Sequence, residues 1–555
     1  MATFDDGNYN YTKDDLRGTC VLNRFKTGVF VVTVVIPATA TDGVTTYNVV
    51  QVGNSAFINQ LITSIDFTNA SNLIFIGTEA FRNTNITSLN FNGASNLNSI
   101  LGSAFLGSAI TSLDFTGANS LKIIDSDAFN NTDNLRGTVV FPASLSDPFN
   151  SPIRNSAFRF SGLEGVSFAV GCLIESIGPF AFNGCINLTE LDLSNATLLE
   201  TIGNDAFSGC ISLPGTVTIP ASVKNINNSA FDGCRNLTGL NLTDAASLET
   251  IGPSAFSQCF DLQGPITIPA TVTTIGKEAF NICAKITALD LTGATALETI
   301  GESAFSQCAL LTGPINIPAT VTTIGPQAFQ NTAVTSVDIA ANGVLQTIGA
   351  SAFSPCALLT GPITIPATVT SIGQQAFQGT AITSVGIAAN GVLQAIGASA
   401  FSPCTRLTGP INIPATVTTI GARAFERTKI TALVFAGGGQ LNTVGASAFS
   451  LCTQLTGVLP LPAATQTIGA QAFYGCTGLT GAAYNLAAAG GVGDQALYGV
   501  AGGTAVYPAN GARVGLRSLI GQAVAVGLLP ALPRYGRWAA RNVHATNWGP
   551  VADPV

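Results

Sequence analysis

The chain is 555 residues long, 46 % hydrophobic and only 9 % charged, with a formal net charge of −8. So much apolar content with so little charge excludes a disordered chain, which needs the opposite balance. Thirty acidic residues against 22 lysines and arginines, with no cationic run in the body of the chain, exclude an electrostatic grip on nucleic acid.

The opening Met1-Ala-Thr-Phe-Asp-Asp-Gly is polar and acidic. It lacks the basic and apolar stretches of a secretory leader, so export by that route is not expected. The acidic pair Asp14-Asp15 follows in a segment where solvation explains it better than catalysis. No stretch offers about 18 uninterrupted apolar residues for a membrane span. Leu519 to Leu532 comes nearest and is broken by Gly521, Gln522 and Pro530.

From residue 51 one line returns: Ile-Gly-x-x-Ala-Phe-x-x-Cys. Its phenylalanine falls at 57, 81, 105, 129, 158, 182, 207, 231, 256, 280, 305, 329, 353, 377, 401, 425, 449 and 473. The step is 24 or 25 residues, apart from one of 29 between Phe129 and Phe158. A fixed period of that size predicts a solenoid, in which each turn buries its apolar side only against its neighbours. Within Cys185 to Gly203, Leu188, Leu191 and Leu193 give L-x-x-L-x-L, and Leu191-Asp192-Leu193 reads as a short strand with aspartate outward. Leu199 and Ile202 return to the core, Gly203 permits a turn, and Asn204-Asp205-Ala206-Phe207 reads as one turn of helix with Phe207 at the centre. A second flavour, Leu262-Gln-Gly-Pro-Ile-Thr-Ile-Pro269, adds one residue before the strand and a proline that stops it.

These motifs resemble the leucine-rich repeat. The form Ile-Pro-x-x-Val-Thr-x-Ile-Gly-x-x-Ala-Phe-x-x-Cys-x-x-Leu is similar to its BspA-like class over roughly residues 50 to 500. Tyr9 to Phe57, with Val35-Ile36-Pro37 and Tyr47 to Gly53, is similar to the N-terminal cap of that class. The resemblance implies a curved right-handed solenoid with a parallel sheet on its concave side and short helical turns or loops on the convex side. It also implies a non-enzymatic surface or interaction protein of bacteria, protists or large viruses. The expected organisation is a β cap at 1–50, a solenoid at 51–499 and a C-terminal cap or anchoring tail at 500–555.

Ten of the twelve cysteines share one repeat position, at 185, 210, 234, 259, 283, 308, 356, 404, 452 and 476. Stacked turns would place neighbours about 4.8 Å apart, so disulfides are conceivable on distance. Equivalent side chains in a stack point the same way, however, and Thr84, Ser108, Thr132, Ser161, Thr332, Thr380 and Thr428 take the same place elsewhere. A position that accepts Cys, Thr or Ser wants a small, buried, weakly polar group. No C-x₂₋₄-C spacing exists for a metal. Cys20 and Cys172 lie outside the column, and a bridge between them stays open.

The outward mid-strand residue of each turn forms a second column, and its candidate binding positions are Asp66, Asn90, Asp114, Asp192, Asn241, Asp290, Asn316 and Asp338. It reads either as a solvated strand face, with Thr and Asn ladders satisfying one another, or as a groove for protein or glycan. One carboxylate per turn is sparse for Ca²⁺. Few aromatics stand there, which weakens sugar stacking and suits packing against copies of the chain or a larger assembly. No cofactor is expected and no catalytic constellation is found. His544 stands alone, and Gly437-Gly438-Gly439 lacks the Lys-Ser/Thr of a phosphate loop.

After Leu497 the composition changes. Residues 500–555 hold both tryptophans and five arginines, with Asp553 as their one acidic residue. Arg534, Arg537, Trp538, Arg541 and Trp548 are the candidate docking residues, set against the plainer reading of a cap over the last repeat. Protein is the expected partner, with glycan and self-association as alternatives.

Overall fold

The computed structural model describes residues 2–29, 31–147, 149–459, 461–479, 484–485, 491–500, 505–506 and 513–514. They form a β-solenoid in two compact units, Met1–Leu297 with Gln307–Leu310 and Glu298–Ser306 with Leu311–Val555. Every described turn is built of strands and turns, and no helix occurs among the described residues.

Most described turns carry two strands rather than the expected one. The unforeseen strand is the residue pair that ends at the isoleucine before glycine. In the first unit Phe75–Ile76, Ser99–Ile100 and Ile123–Ile124 pair in parallel, as do Ser176–Ile177, Thr201–Ile202, Asn225–Ile226, Thr250–Ile251 and Thr274–Ile275. Ile153 joins its neighbours by single bridges, so the register survives the 29-residue step. The extra residues are extruded as a loop that leaves Phe149 88 % exposed. Arg154 ties that loop down through Asp147 at 2.8 Å and Asp125 at 3.2 Å. In the second unit the same ladder runs from Thr299–Ile300 through Thr323–Ile324 and Thr347–Ile348 to Thr467–Ile468 and Gly491–Val492.

The foreseen strands form shorter sheets. Ser112–Asp114, Ser88–Asn90, Ser64–Asp66 and Thr33–Val35 make one of four strands. Proline-flavoured strands pair only with the strand that follows them, as Gln263–Thr267 does with Lys285–Asp290 and Thr312–Ile317 with Ala333–Ile339. The register shifts between Gly264 and Pro265, where Gly264 takes φ +79°, and the residue left without a partner is Thr287 of the facing strand. A bulge absorbs one residue in this way, and proline is tolerated there because no ladder bond is asked of it.

The predicted helical turn is a run of three β-turns. In the first described repeat Ala56 N–H donates to Gly53 O, Ile58 N–H to Ser55 O, and Gln60 N–H to Phe57 O. Helix is excluded because the residues at the third place of the first and last turns are left-handed, such as Ser55 at φ +53° and Asn59 at +58°. Their amides bond forward to the next turn, Ser55 N–H to Thr78 O, Phe57 N–H to Ala80 O and Asn59 N–H to Arg82 O. Those inter-turn bonds hold a backbone that L-residues otherwise avoid.

The expected role of Gly203 is also corrected, since its φ is not positive. A Cβ there would lie 2.5 Å from Ile177 O and 2.7 Å from Gly178 C. At this turn the glycine lets the adjacent backbone approach more closely than a Cβ would allow without a shift. The phenylalanines lie where expected. All eighteen are 0 % exposed, and consecutive rings stack nearly parallel, as Phe207 and Phe231 do at 5.2 Å and 9°.

At the N-terminal end, Ala2–Asp5, Tyr9–Asp14 and Thr19–Phe25 pair antiparallel. Thr19–Phe25 then pairs in parallel with Thr46–Val52, which continues into Phe75–Ile76. These strands cover the end of the two-residue sheet. Lys13 binds the segment together, reaching Asp42 at 2.7 Å, Tyr47 at 3.1 Å and Asp15 at 3.2 Å.

Candidate functional site

The outward column divides into two chemically different sets. Six of its members hydrogen-bond their own backbone two residues on: Asp66 accepts from Thr68 N–H at 2.8 Å, Asn90 from Asn92 at 2.7 Å and Asp114 from Thr116 at 2.8 Å. Asp192 accepts from Ser194 at 2.9 Å, Asn241 from Thr243 at 3.0 Å, and Asp290 from Thr292 at 2.9 Å. Short polar side chains commonly close a turn in this way. The Thr68 hydroxyl, helped by the Thr68 N–H, holds the Asp66 carboxyl below its ordinary range, and Thr292 does the same for Asp290. These carboxylates terminate strands.

Asn316 and Asp338 differ. Two residues after Asn316 stands Pro318, which has no N–H to offer, and neither the Asn316 nor the Asp338 side chain hydrogen-bonds another described residue. The two residues are register partners, both exposed, with Ser336 and Pro314 exposed as the neighbouring pair. The outward threonines make no ladder among themselves. Thr111 and Thr238 each donate instead to a backbone carbonyl of the preceding turn, at 2.8 and 3.0 Å.

The cysteine column is built for packing. All twelve cysteines are free and buried. Each column thiol donates to the phenylalanine carbonyl of the turn before it, as Cys210 does to Phe182 O at 3.3 Å and Cys283 to Phe256 O at 3.0 Å. The threonines that replace cysteine, and Ser108, donate to the phenylalanine of their own turn, as in Thr84 to Phe81 O at 2.8 Å, whereas Ser161 pairs with the Cys185 thiol at 3.2 Å. Where threonine precedes cysteine, Phe329 O accepts from both Thr332 and Cys356. Burial pushes Cys185 and Cys308 up to about 12 and Cys356 to about 11, which leaves them protonated and unreactive at neutral pH. Among the described residues no three His, Cys, Asp or Glu side chains gather as a metal site would require, and no helix is long and apolar enough to cross a membrane.

Sequence reasoning missed one feature. Thr33–Val35, inside the N-terminal segment, is the end strand of the four-stranded sheet, beside a cleft of about 270 Å³. The signal was present, since Val34-Val35-Ile36-Pro37 closes like Ile266-Thr267-Ile268-Pro269 in the repeats. The docking candidates Arg534, Arg537, Trp538, Arg541 and Trp548 lie outside the described residues.

A family model described as "BspA type Leucine rich repeat region (6 copies)" matches residues 42–151, 151–287, 275–392 and 370–487. Among solved structures, a leucine-rich repeat protein from Bacteroides ovatus is similar at 22 % identity over 78 % of this chain and 99 % of its own, with a TM-score of 0.52. A leucine rich cell surface protein from Faecalibacterium prausnitzii matches at 20 % identity over 86 % of this chain and 93 % of its own, with a TM-score of 0.27. The comparison with curated proteins gave no match.

Proposed function

Because this chain belongs to the BspA-type leucine-rich repeat family, we propose that it is a non-enzymatic protein-binding solenoid exposed on a cell or virion surface. Leucine-rich repeat proteins of this kind generally bind proteins. The observation that carries the reading here is the uncommitted pair Asn316 and Asp338, on a strand face whose earlier members are spent on turns. Thr312, Pro314, Ser336 and the Asn316–Asp338 pair form a rigid polar platform with free donors and acceptors, which suits adhesion to a folded protein. A photo-crosslinking residue at 336 should capture a specific protein, and Asp338→Lys should weaken its binding at least tenfold. Capture that is indifferent to Asp338→Lys would end this reading, as would a surface that yields only glycan ligands on an array.

A second reading is favoured by charge. Residues 500–555 carry five arginines and one aspartate, whereas residues 1–302 carry 13 basic and 26 acidic residues. The Arg- and Trp-bearing segment would then dock the chain into a particle or surface layer, with the protein as a structural component. Substituting Arg534, Arg537 and Arg541 with alanine should release the chain from such an assembly on fractionation.

A further inference from the structure

The N-terminal strands cap only one of the two sheets. Ala2–Asp5, Tyr9–Asp14 and Thr19–Phe25 close the two-residue ladder, whereas the sheet of Ser64–Asp66 ends at Thr33–Val35 with no strand beyond it among the described residues. Thr33–Val35 pairs in parallel with Ser64–Asp66, and Val32 O and Ile36 N–H bond toward that partner. The alternation of a parallel ladder therefore turns the N–H and C=O of Thr33 and Val35 the other way. The Val35 N–H is met by the Tyr9 hydroxyl at 2.9 Å, and Thr33 is exposed. Around this edge Val31, Val32, Val35 and Leu61 are 43, 62, 40 and 76 % exposed. An apolar sheet edge left open in this manner is a template for another strand.

The cleft beside the edge indicates what kind of strand. Its walls are Tyr9, Phe25, Val29, Val31, Val35 and Pro37, with Asp6 and Asn8 at one side. Asp6 accepts from the Asn8 and Tyr9 N–H groups at 2.9 Å each and from the Tyr11 hydroxyl at 2.8 Å, and makes no ion pair among the described residues. A single extended segment with apolar and cationic side chains fits this cleft. The chain contains one such segment outside the described residues: the apolar run from Leu516 to Leu532, followed by Arg534-Tyr-Gly-Arg-Trp-Ala-Ala-Arg541. Its arginines complement the acidic first unit.

We propose that the C-terminal segment of one copy adds as a strand to the open edge at Thr33 of a second copy, linking chains head to tail. Acceptor and donor stand at opposite ends of the sequence, so the contact is heterologous and continues from copy to copy. The inference deepens the second reading above by naming the docking partner, and it leaves the Asn316–Asp338 face untouched.

The test uses the full chain in sedimentation velocity. The wild type should give an open series of oligomers that grows with concentration and shrinks with salt. Two edge variants, Thr33→Pro and Val32→Lys, alter outward groups and spare the backbone bonds to Ser64–Asp66, Thr33→Pro giving up only the exposed Thr33–Ser64 hydroxyl bond at 2.7 Å. A tail variant carries Arg534→Ala, Arg537→Ala and Arg541→Ala. Each should weaken self-association at least tenfold with the melting temperature unchanged. An edge variant keeps its tail and the tail variant keeps its edge, so mixing them should give a dimer that grows no further. A wild type that stays monomeric at about 100 μM would overturn the proposal, as would edge variants that still polymerise or a mixture that stays monomeric. A tail variant that leaves a particle while the wild type stays monomeric would retain the second reading and remove this inference.

Discussion

At the residue scale the left-handed turn positions decide much of the local stability. Asn59, Asn83, Asn131 and Asn331 occupy one of them, and Gly184, Gly209, Gly233 and Gly475 occupy it elsewhere. Asparagine and glycine tolerate this conformation. Ile282 holds the same place at φ +62°, where a β-branched side chain is strained. Replacing Ile282 with asparagine should therefore stabilise the fold by about 1 kcal/mol, read as a raised denaturant midpoint at constant slope. A lowered midpoint would show that the isoleucine's partial burial outweighs its backbone strain. The cysteines belong to this scale too. Their hydrogen bonds to phenylalanine carbonyls leave the column thiols silent toward a thiol reagent in the native chain at pH 8, with full reaction after denaturation. Rapid labelling of the native column would contradict this packing.

At the element scale the turns draw closest together at glycines where a Cβ would crowd the neighbouring backbone. A Cβ on Gly276 would lie 2.5 Å from Gly252 C and Pro253 N. Gly276→Ala should cost about 1–3 kcal/mol, measured by thermal unfolding. The cost is bounded because Asp125, Arg154 and Asn227 occupy the equivalent place in other turns, so the backbone can relax there. The sequence made the period, the phenylalanine spine and the proline-stopped strands legible, because burial and ladder bonding impose strong spacing. It concealed the second strand of each turn. A two-residue strand such as Thr201–Ile202 shows no alternation, and only the bonds of its neighbours define it. The three β-turns resemble a helical turn in the sequence, because Ala-Phe in a polar context carries no sign of the left-handed residue before it. Of the outward column, the spacing was readable but the division was not. Whether Asp290 or Asp338 is committed to a turn depends on a hydrogen bond two residues along, and composition does not display it.

At the scale of the whole molecule the buried thiols make stability depend on pH in one direction. An ordinary thiol ionises near 9.0, whereas burial raises Cys185 and Cys308 to about 12 and Cys404 and Cys452 to about 11, with Cys210, Cys234 and Cys259 raised well above the ordinary value. The unfolded chain thus releases protons that the folded chain retains. The contribution is fully present below pH 9 and is lost as pH rises toward 11 or 12, at about 1.4 kcal/mol per thiol per pH unit. Alkaline unfolding should accordingly be steep, and replacing Cys210, Cys234 and Cys259 with serine should flatten the pH dependence in that window. An unchanged slope would show that other groups govern it. The electrostatic character also shifts along the chain, since residues 303–405 contain a single charged side chain, Asp338. Binding on that face should be nearly indifferent to ionic strength, in contrast to the contacts proposed for the C-terminal arginines.

Because rungs and stacked rings bond to the adjacent turn, residues 303–350 and their near-duplicate 351–398 offer the next turn the same register and nearly the same side chains. Unequal recombination within the gene can then delete or duplicate 48 residues without breaking the fold. The protein's reach becomes a heritable length, adjustable by two rungs at a time while both termini keep their roles.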